Sequence, residues 1–262
     1  MTTFPFPVRD ASIPAMSDPH PSSPFPAEPL SAEGVLRWYA AAGVDTAVGE
    51  TPVDRTAAAA AAPSPLAAPG LDDLQAALEA FDACPLKRTA TRLVFASGPA
   101  TAPLMLVGEA PGADEDRTGI PFVGRAGQLL DRMLASIGWP RESVRITNVV
   151  PWRPPGNRNP TPEEITLCRP FIQRHIELVS PAVLVLLGGS AAEALLELRQ
   201  GITRVRGTWH DLTLPGLSRP VPTLATFHPA YLLRAPAQKA LSWRDFLAVK
   251  ARLADLGAAP GV

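Results

Sequence analysis

Cysteine is nearly missing: the 262 residues hold two, Cys84 and Cys168. Two thiols exclude a disulfide framework and make no complete metal site. Long apolar runs are missing as well. Nothing approaches the ~20 apolar residues that a membrane helix needs, and the opening MTTFPFPVRD lacks the basic-then-apolar order of a secretion signal. The expectation is a soluble cytoplasmic protein with no membrane partner. A surplus of either charge is also missing, since the formal net charge is −1. That excludes a chain basic from end to end. The balance is uneven, however. Residues 1–70 carry three basic and seven acidic side chains, which leaves 21 basic and 18 acidic for the rest. A weakly basic body with an acidic tail is compatible with DNA binding without requiring it. No internal repeat is visible.

What is present is a core and a long extension. Hydrophobic residues make up 46% of the chain, enough for one sizeable domain. Residues 1–70 form a proline- and alanine-rich extension, mostly disordered by composition. One short helix is predicted within it near 32–42, capped by Ser31, with Leu36, Trp38 and Tyr39 available to dock elsewhere. The folded domain is expected from 71 to 262. It starts with a helix through Leu74, Leu78 and Phe81. Strands are predicted at 93–95, 104–107, 144–150, 183–187 and 222–226, the last four forming the central sheet. Helices are predicted from about 125, from 161 to about 178, from 188 to about 199, and from 242 to 256. The terminal helix should turn Trp243, Phe246, Leu247 and Leu253 inward. Strands alternating with helices imply a three-layer α/β/α sandwich around a mostly parallel four-stranded sheet.

The chain is organised around residues 108–131, GEAPGADEDRTGIPFVGRAGQLLD. A buried strand precedes this stretch. A helix with Leu129, Leu130, Met133, Leu134 and Ile137 on its apolar face follows. The loop therefore lies at the carboxyl edge of a parallel sheet, where α/β proteins bind ligands. It holds four carboxylates (Glu109, Asp114, Glu115, Asp116), one ring (Phe122) and glycines suited to close backbone approach. Asn148 ends the second strand and His228 follows the fourth, so Glu109, Phe122, Asn148 and His228 converge on one edge. Gly188-Gly189-Ser190 opens a helix whose free N–H groups suit a phosphate. Arg153, Arg158 and Arg234 flank the same edge and suit a nucleic-acid backbone. Each of these residues also has an ordinary structural reading: solvated acids and arginines, a core phenylalanine, a turn asparagine, a satisfied histidine.

Three stretches in order, GEAPGADED with PFVGRAGQLLD, ITNVVPWRPPGNRNPTPEE, and HPAYLLR, make the chain similar to the type-4 uracil-DNA glycosylases over roughly residues 71–250. The resemblance implies a glycosylase that flips uracil out of DNA and hydrolyses its glycosidic bond. It assigns Glu109 and Glu115 to the first-motif glutamates and Phe122 to the ring that stacks on uracil. Asn148 becomes the uracil-reading amide, and His228 the histidine that steadies the departing base. Gly108 and Ala110 belong to the substrate-binding stretch. Ala110 stands where type-1 relatives carry an aspartate, so Glu109 is the candidate for positioning water. Glu115 is the candidate for walling off a thymine methyl. Leu232, Leu233 and Arg234 match a loop that enters the DNA helix. Uracil-containing DNA is the implied partner, and a monomer is expected.

One departure concerns a cofactor. Type-4 enzymes resemble one another in holding a four-iron cluster on four cysteines. Cys84 and Cys168 match two of those positions, while Phe81 and Trp152 stand at the other two. Two cysteines do not ligate a cubane normally bound by four, so the cluster is expected to be lost and its volume filled by the two rings. Three other readings compete. One is a non-catalytic DNA or nucleotide binder on the same scaffold. Another is a glycosylase for other deaminated bases. The last is a relative that crosslinks to DNA through a histidine after the second strand. The loop RPPGNRNP has no histidine, which counts against the last.

Overall fold

The computed structural model describes residues 31–41, 68–198 and 200–260. Helix α1 (Ala32–Ala41) belongs to a separate unit from the main body. Ser31 caps it as expected, its hydroxyl accepting the Gly34 N–H at 3.2 Å. The expectation of disorder for 1–30 lies outside the described residues, as does the expected alanine-proline linker of 44–70 up to residue 67; Ala68 is buried in the core, so the body begins before residue 71. Among the described residues no helix is long and apolar enough to cross a membrane.

The main body is built on a five-stranded sheet in the order β2-β1-β3-β5-β4. Its strands are β1 (Leu104–Gly108), β2 (Val144–Asn148), β3 (Val183–Leu187), β4 (Trp209–Leu212) and β5 (Val221–Thr226). The first three and β5 run parallel, and every residue of β1, β2 and β3 is buried. The near-continuous apolar runs of β1 and β3 are what a parallel sheet covered on both faces requires, while β2, at the edge of the sheet, alternates as Val-Arg-Ile-Thr-Asn. Side chains alternate between the faces. Leu104 and Leu106 pack with α4 (Arg125–Ser136) and α9 (Lys239–Asp255), while Met105 and Val107 pack with α2 (Leu71–Ala80), α5 (Pro162–Val179) and α6 (Gly189–Leu196). This is the three-layer α/β/α sandwich.

The sheet corrects the expected count of four. Strand β4 pairs antiparallel with β5 at the edge, and most of it is only half-buried or exposed. A short edge strand reading Trp-His-Asp-Leu has no apolar run to announce it. Residues 93–95 form no strand; an isolated bridge follows two residues later, Ser97 to Ile146. Trp243 and Leu247 on α9 are exposed rather than inward, whereas Phe246 and Leu253 are buried. Helix α6 stops at Leu196, where Glu197 turns left-handed (φ 56°), earlier than the expected 199, and the short α7 (Ile202–Val205) follows before β4.

The chain leaves β1 for β2 on one side and later reaches β3 on the other. Strand β1 therefore borders the switch point where open α/β sheets bind ligands.

Candidate active site

A cleft of about 490 Å³ opens over the carboxyl ends of the parallel strands. Glu109, Ala110, Glu115, Phe122, Asn148, Arg158, His228 and Arg234 line it, so eight of the residues singled out from the sequence share one cavity. Gly108 lies beneath it, with Asn148 and Phe122 directly against its Cα.

The four carboxylates of the first loop have separate jobs. Glu109 follows β1 directly. Its Oε1 is buried and has no hydrogen-bond partner. Burial raises its carboxyl above the usual glutamate range, and the nearby Ser190 hydroxyl pulls the other way. Asp114 is largely exposed. Glu115 lies on α3 (Ala113–Thr118), a short helix inside the loop that the sequence reading missed. Its Oε2 accepts the Gly112 N–H at 3.1 Å, and its Oε1 accepts the N–H groups of Val123 and Gly124, each at 3.0 Å. Asp116 is buried and tied to Thr91 and Arg92. Glu109 alone of the four presents an unpartnered buried oxygen to the cleft.

Phe122 is 5% exposed and sits at φ 55°, a left-handed backbone rare for an aromatic residue. Two glycines make room for it. A Cβ on Gly127 would fall 1.7 Å from the Phe122 carbonyl oxygen, so the first turn of α4 carries a glycine where the chain passes closest. Across the cleft its ring lies 5.5 Å from the His228 ring, tilted by 32°.

Asn148 ends β2 and is 4% exposed, and its Oδ1 is buried with no hydrogen-bond partner. An orphaned buried acceptor is costly, and this one borders a cavity. His228 caps the six-residue α8 (Pro229–Arg234): its Nδ1 accepts the Ala230 N–H at 3.1 Å. A ring nitrogen that accepts is unprotonated, so in the neutral ring Nε2 carries the hydrogen. Burial first, then the nearby Arg234 charge, lowers the imidazole to about 4, with Glu115 opposing. The ring is therefore neutral near pH 7.

The other residues divide. Ser190, second in α6, borders an adjoining groove instead of the cleft. Arg158 is held by Glu164 through two hydrogen bonds (2.8 and 2.7 Å), which anchors the start of α5. Arg153 donates to Asn157 at 2.7 Å and lies 4.0 Å from Asp116. Arg234 is exposed at the rim and makes no ion pair among the described residues. Of the two leucines, Leu233 is 36% exposed and Leu232 only 1%. Leu232 faces the apolar gap between α4 and α9, because a one-turn helix cannot turn consecutive residues to the same side. Leu233, not Leu232, is the leucine exposed at the rim.

The positions matched to cluster ligands form one packed group. The sulfurs of Cys84 and Cys168 are 4.0 Å apart and both residues are fully buried. Phe81 and Trp152 stack at 6.4 Å and 17°, Phe171 meets Phe81 at 4.9 Å, and Trp152 is 2% exposed. Two thiols walled by three rings do not fit a cubane that takes four cysteine ligands.

The chain matches the Uracil DNA glycosylase superfamily over residues 95–253. It is 42% identical to the type-4 uracil-DNA glycosylase of Archaeoglobus fulgidus over 180 residues, 67% of this chain and 89% of the relative. It is 46% identical to the type-4 enzyme of Thermotoga maritima over 153 residues, 58% of this chain and 77% of the relative. A type-5 uracil-DNA glycosylase of Pyrobaculum aerophilum is more distant, at 31% over 150 residues, 52% of this chain and 64% of the relative. With its α/β/α sheet, its cleft and these relatives, the chain belongs to the uracil-DNA glycosylase superfamily, on the type-4 side.

Proposed function

We propose that this protein excises uracil from DNA and leaves an abasic site, the opening step of base excision repair. The observation that carries the reading is the pair of buried, unpartnered oxygens at the cleft, Asn148 Oδ1 and Glu109 Oε1. A base must leave the duplex before the enzyme reaches its bond. The extruded uracil stacks on Phe122. Asn148 Oδ1 accepts uracil N3–H and its NH2 donates to O4. Cytosine presents the opposite pattern at both atoms, leaving the buried amide unpaired.

As the N1–C1′ bond breaks, its electron pair moves onto uracil and spreads to O2, and positive charge develops on the sugar. Neutral His228 donates its Nε2–H to O2, a fixed donor aimed at developing charge. The Glu109 carboxylate orients a water toward C1′ and steadies the sugar cation, as carboxylates do at other oxocarbenium centres. The water oxygen bonds to C1′, and its proton passes to the uracil anion or to solvent. Glu115 has both oxygens engaged with backbone N–H groups, so its part is to shape the loop. Leu233 and Arg234 meet the DNA backbone and the gap left by the flipped base. The protein works as a cytoplasmic monomer, and without an iron-sulfur cluster: the packed rings of Phe81 and Trp152 support that reading.

No lysine lines the cleft to form a Schiff base with the sugar. The test is an end-labelled oligonucleotide with one uracil. Release of uracil, with strand breakage only after added alkali, is expected. Binding without release would favour a non-catalytic binder, and direct nicking or a borohydride-trapped adduct would refute the monofunctional mechanism.

A further inference from the structure

We infer that Arg141 is a positioning residue for excision, holding Phe122 in place from outside the cleft; this rests on reading Phe122 as the stacking face. Arg141 opens the single turn before β2 and is absent from the cleft lining. Its guanidinium reaches the backbone that carries the ring. One nitrogen donates to the Phe122 carbonyl at 2.9 Å and the other to the Pro121 carbonyl at 2.5 Å. Asp131, on α4, and Ser97 hold the guanidinium in turn, at 2.9 and 3.2 Å.

Glu115 grips the same backbone from the other side through the Val123 and Gly124 N–H groups, both at 3.0 Å. Two carbonyls and two amides around Phe122 are thus bound by one cation and one carboxylate. A phenylalanine at φ 55° needs such over-determination, since left-handed backbone is unfavourable for a residue with a Cβ and persists only where neighbours impose it. Relaxation of Phe122 to an extended or right-handed backbone would swing its Cβ and tip the ring away from Asn148 and His228. Arginine suits the task because its rigid planar fork reaches two adjacent carbonyls and a carboxylate at once, which an ammonium does not do in fixed geometry.

The test is a double-mutant cycle read by single-turnover uracil excision from a labelled single strand, with Arg141→Gln, Phe122→Ala and the double variant. Arg141→Gln is expected to slow excision on the order of 10-fold or more, as misplacement of a reactant does, while melting cooperatively. In the Phe122→Ala background the same change should cost less than about twofold, because coupled residues fail to add. A silent Arg141→Gln, or a full loss in both backgrounds, would overturn the inference. A silent Phe122→Ala would instead overturn the stacking assignment. Should Arg141→Gln not fold, Asp131→Asn loosens the same guanidinium and runs the same cycle. A smaller loss that vanishes without the Phe122 ring supports the inference; no loss, or one independent of the ring, sinks it.

Discussion

A Cβ on Gly108 would lie 2.4 Å from Asn148 Oδ1 and 2.6 Å from the tip of the Phe122 ring. The last residue of β1 thus leaves the Asn148 amide and the Phe122 ring the space they share. Gly108→Ala is expected to displace both, with excision falling on the order of 10²-fold, the usual scale for a misplaced site. Excision kinetics beside a thermal melt would check this. A wild-type rate would mean that the pocket tolerates the shift and that the amide and ring are not placed by contact.

Asn148→Ala and His228→Ala each remove a donor aimed at the base, and each is expected to cost about 10²-fold or more in the single-turnover rate. A wild-type rate in either variant would show the site to be misassigned.

The acid limb of activity should belong to Glu109. Its carboxyl is raised by burial, so it takes up a proton at a higher pH than a free glutamate. Excision should therefore fall, as pH is lowered, before an ordinary carboxylate would titrate. His228 is lowered to about 4 and stays neutral through that window, so no limb near the usual histidine value is expected. A pH–rate profile of Glu109→Gln, slower and without the limb, checks the assignment. The same limb persisting in that variant would assign it to another group.

Arg234→Ala should weaken DNA binding and lower the salt slope by about one phosphate contact, with little change in the rate once DNA is bound. Arg158→Ala should act differently, because its guanidinium is engaged by Glu164. It should loosen the start of α5 and leave the salt slope nearly unchanged. Binding isotherms across salt concentrations separate the two. Equal slopes for both variants would contradict the contrast.

The ring pair should carry packing in place of a cluster. Trp152 is 2% exposed, so Trp152→Ala is expected to cost roughly 3–5 kcal/mol as a large buried truncation. Denaturant unfolding measures it, and a change well under about 1 kcal/mol would show the ring to be dispensable. Anaerobically purified protein is expected to contain no iron or acid-labile sulfide. Its two thiols should react only on unfolding, as Cys84 and Cys168 are fully buried. Near-stoichiometric iron and sulfide would refute the cluster-free reading.

The sequence by itself determined the layers and which residues gather at one edge of the sheet. Apolar runs at 104–107 and 183–187 have nowhere to go but a covered parallel sheet, and a parallel sheet puts the loops after its strands on one edge. Motif order then named Glu109, Phe122, Asn148 and His228, and all four line one cleft. The tertiary structure decided what each neighbour does. Among four adjacent acids, only folding directs Glu109 to the cleft, Glu115 to three backbone amides and Asp116 to Thr91. Pairings across long sequence separations leave no local pattern, so Arg141 passed unnoticed at 19 residues from the carbonyl it holds. The G-x-x-E spacing of Gly112 and Glu115 was the one local sign of the helix inside the loop. Leu232 and Leu233 differ by one position, yet a single helical turn sends one into the core and leaves the other at the rim. Strand β4 is held by its pairing with β5 and not by its own burial, and such an element becomes legible only when its partner is in place.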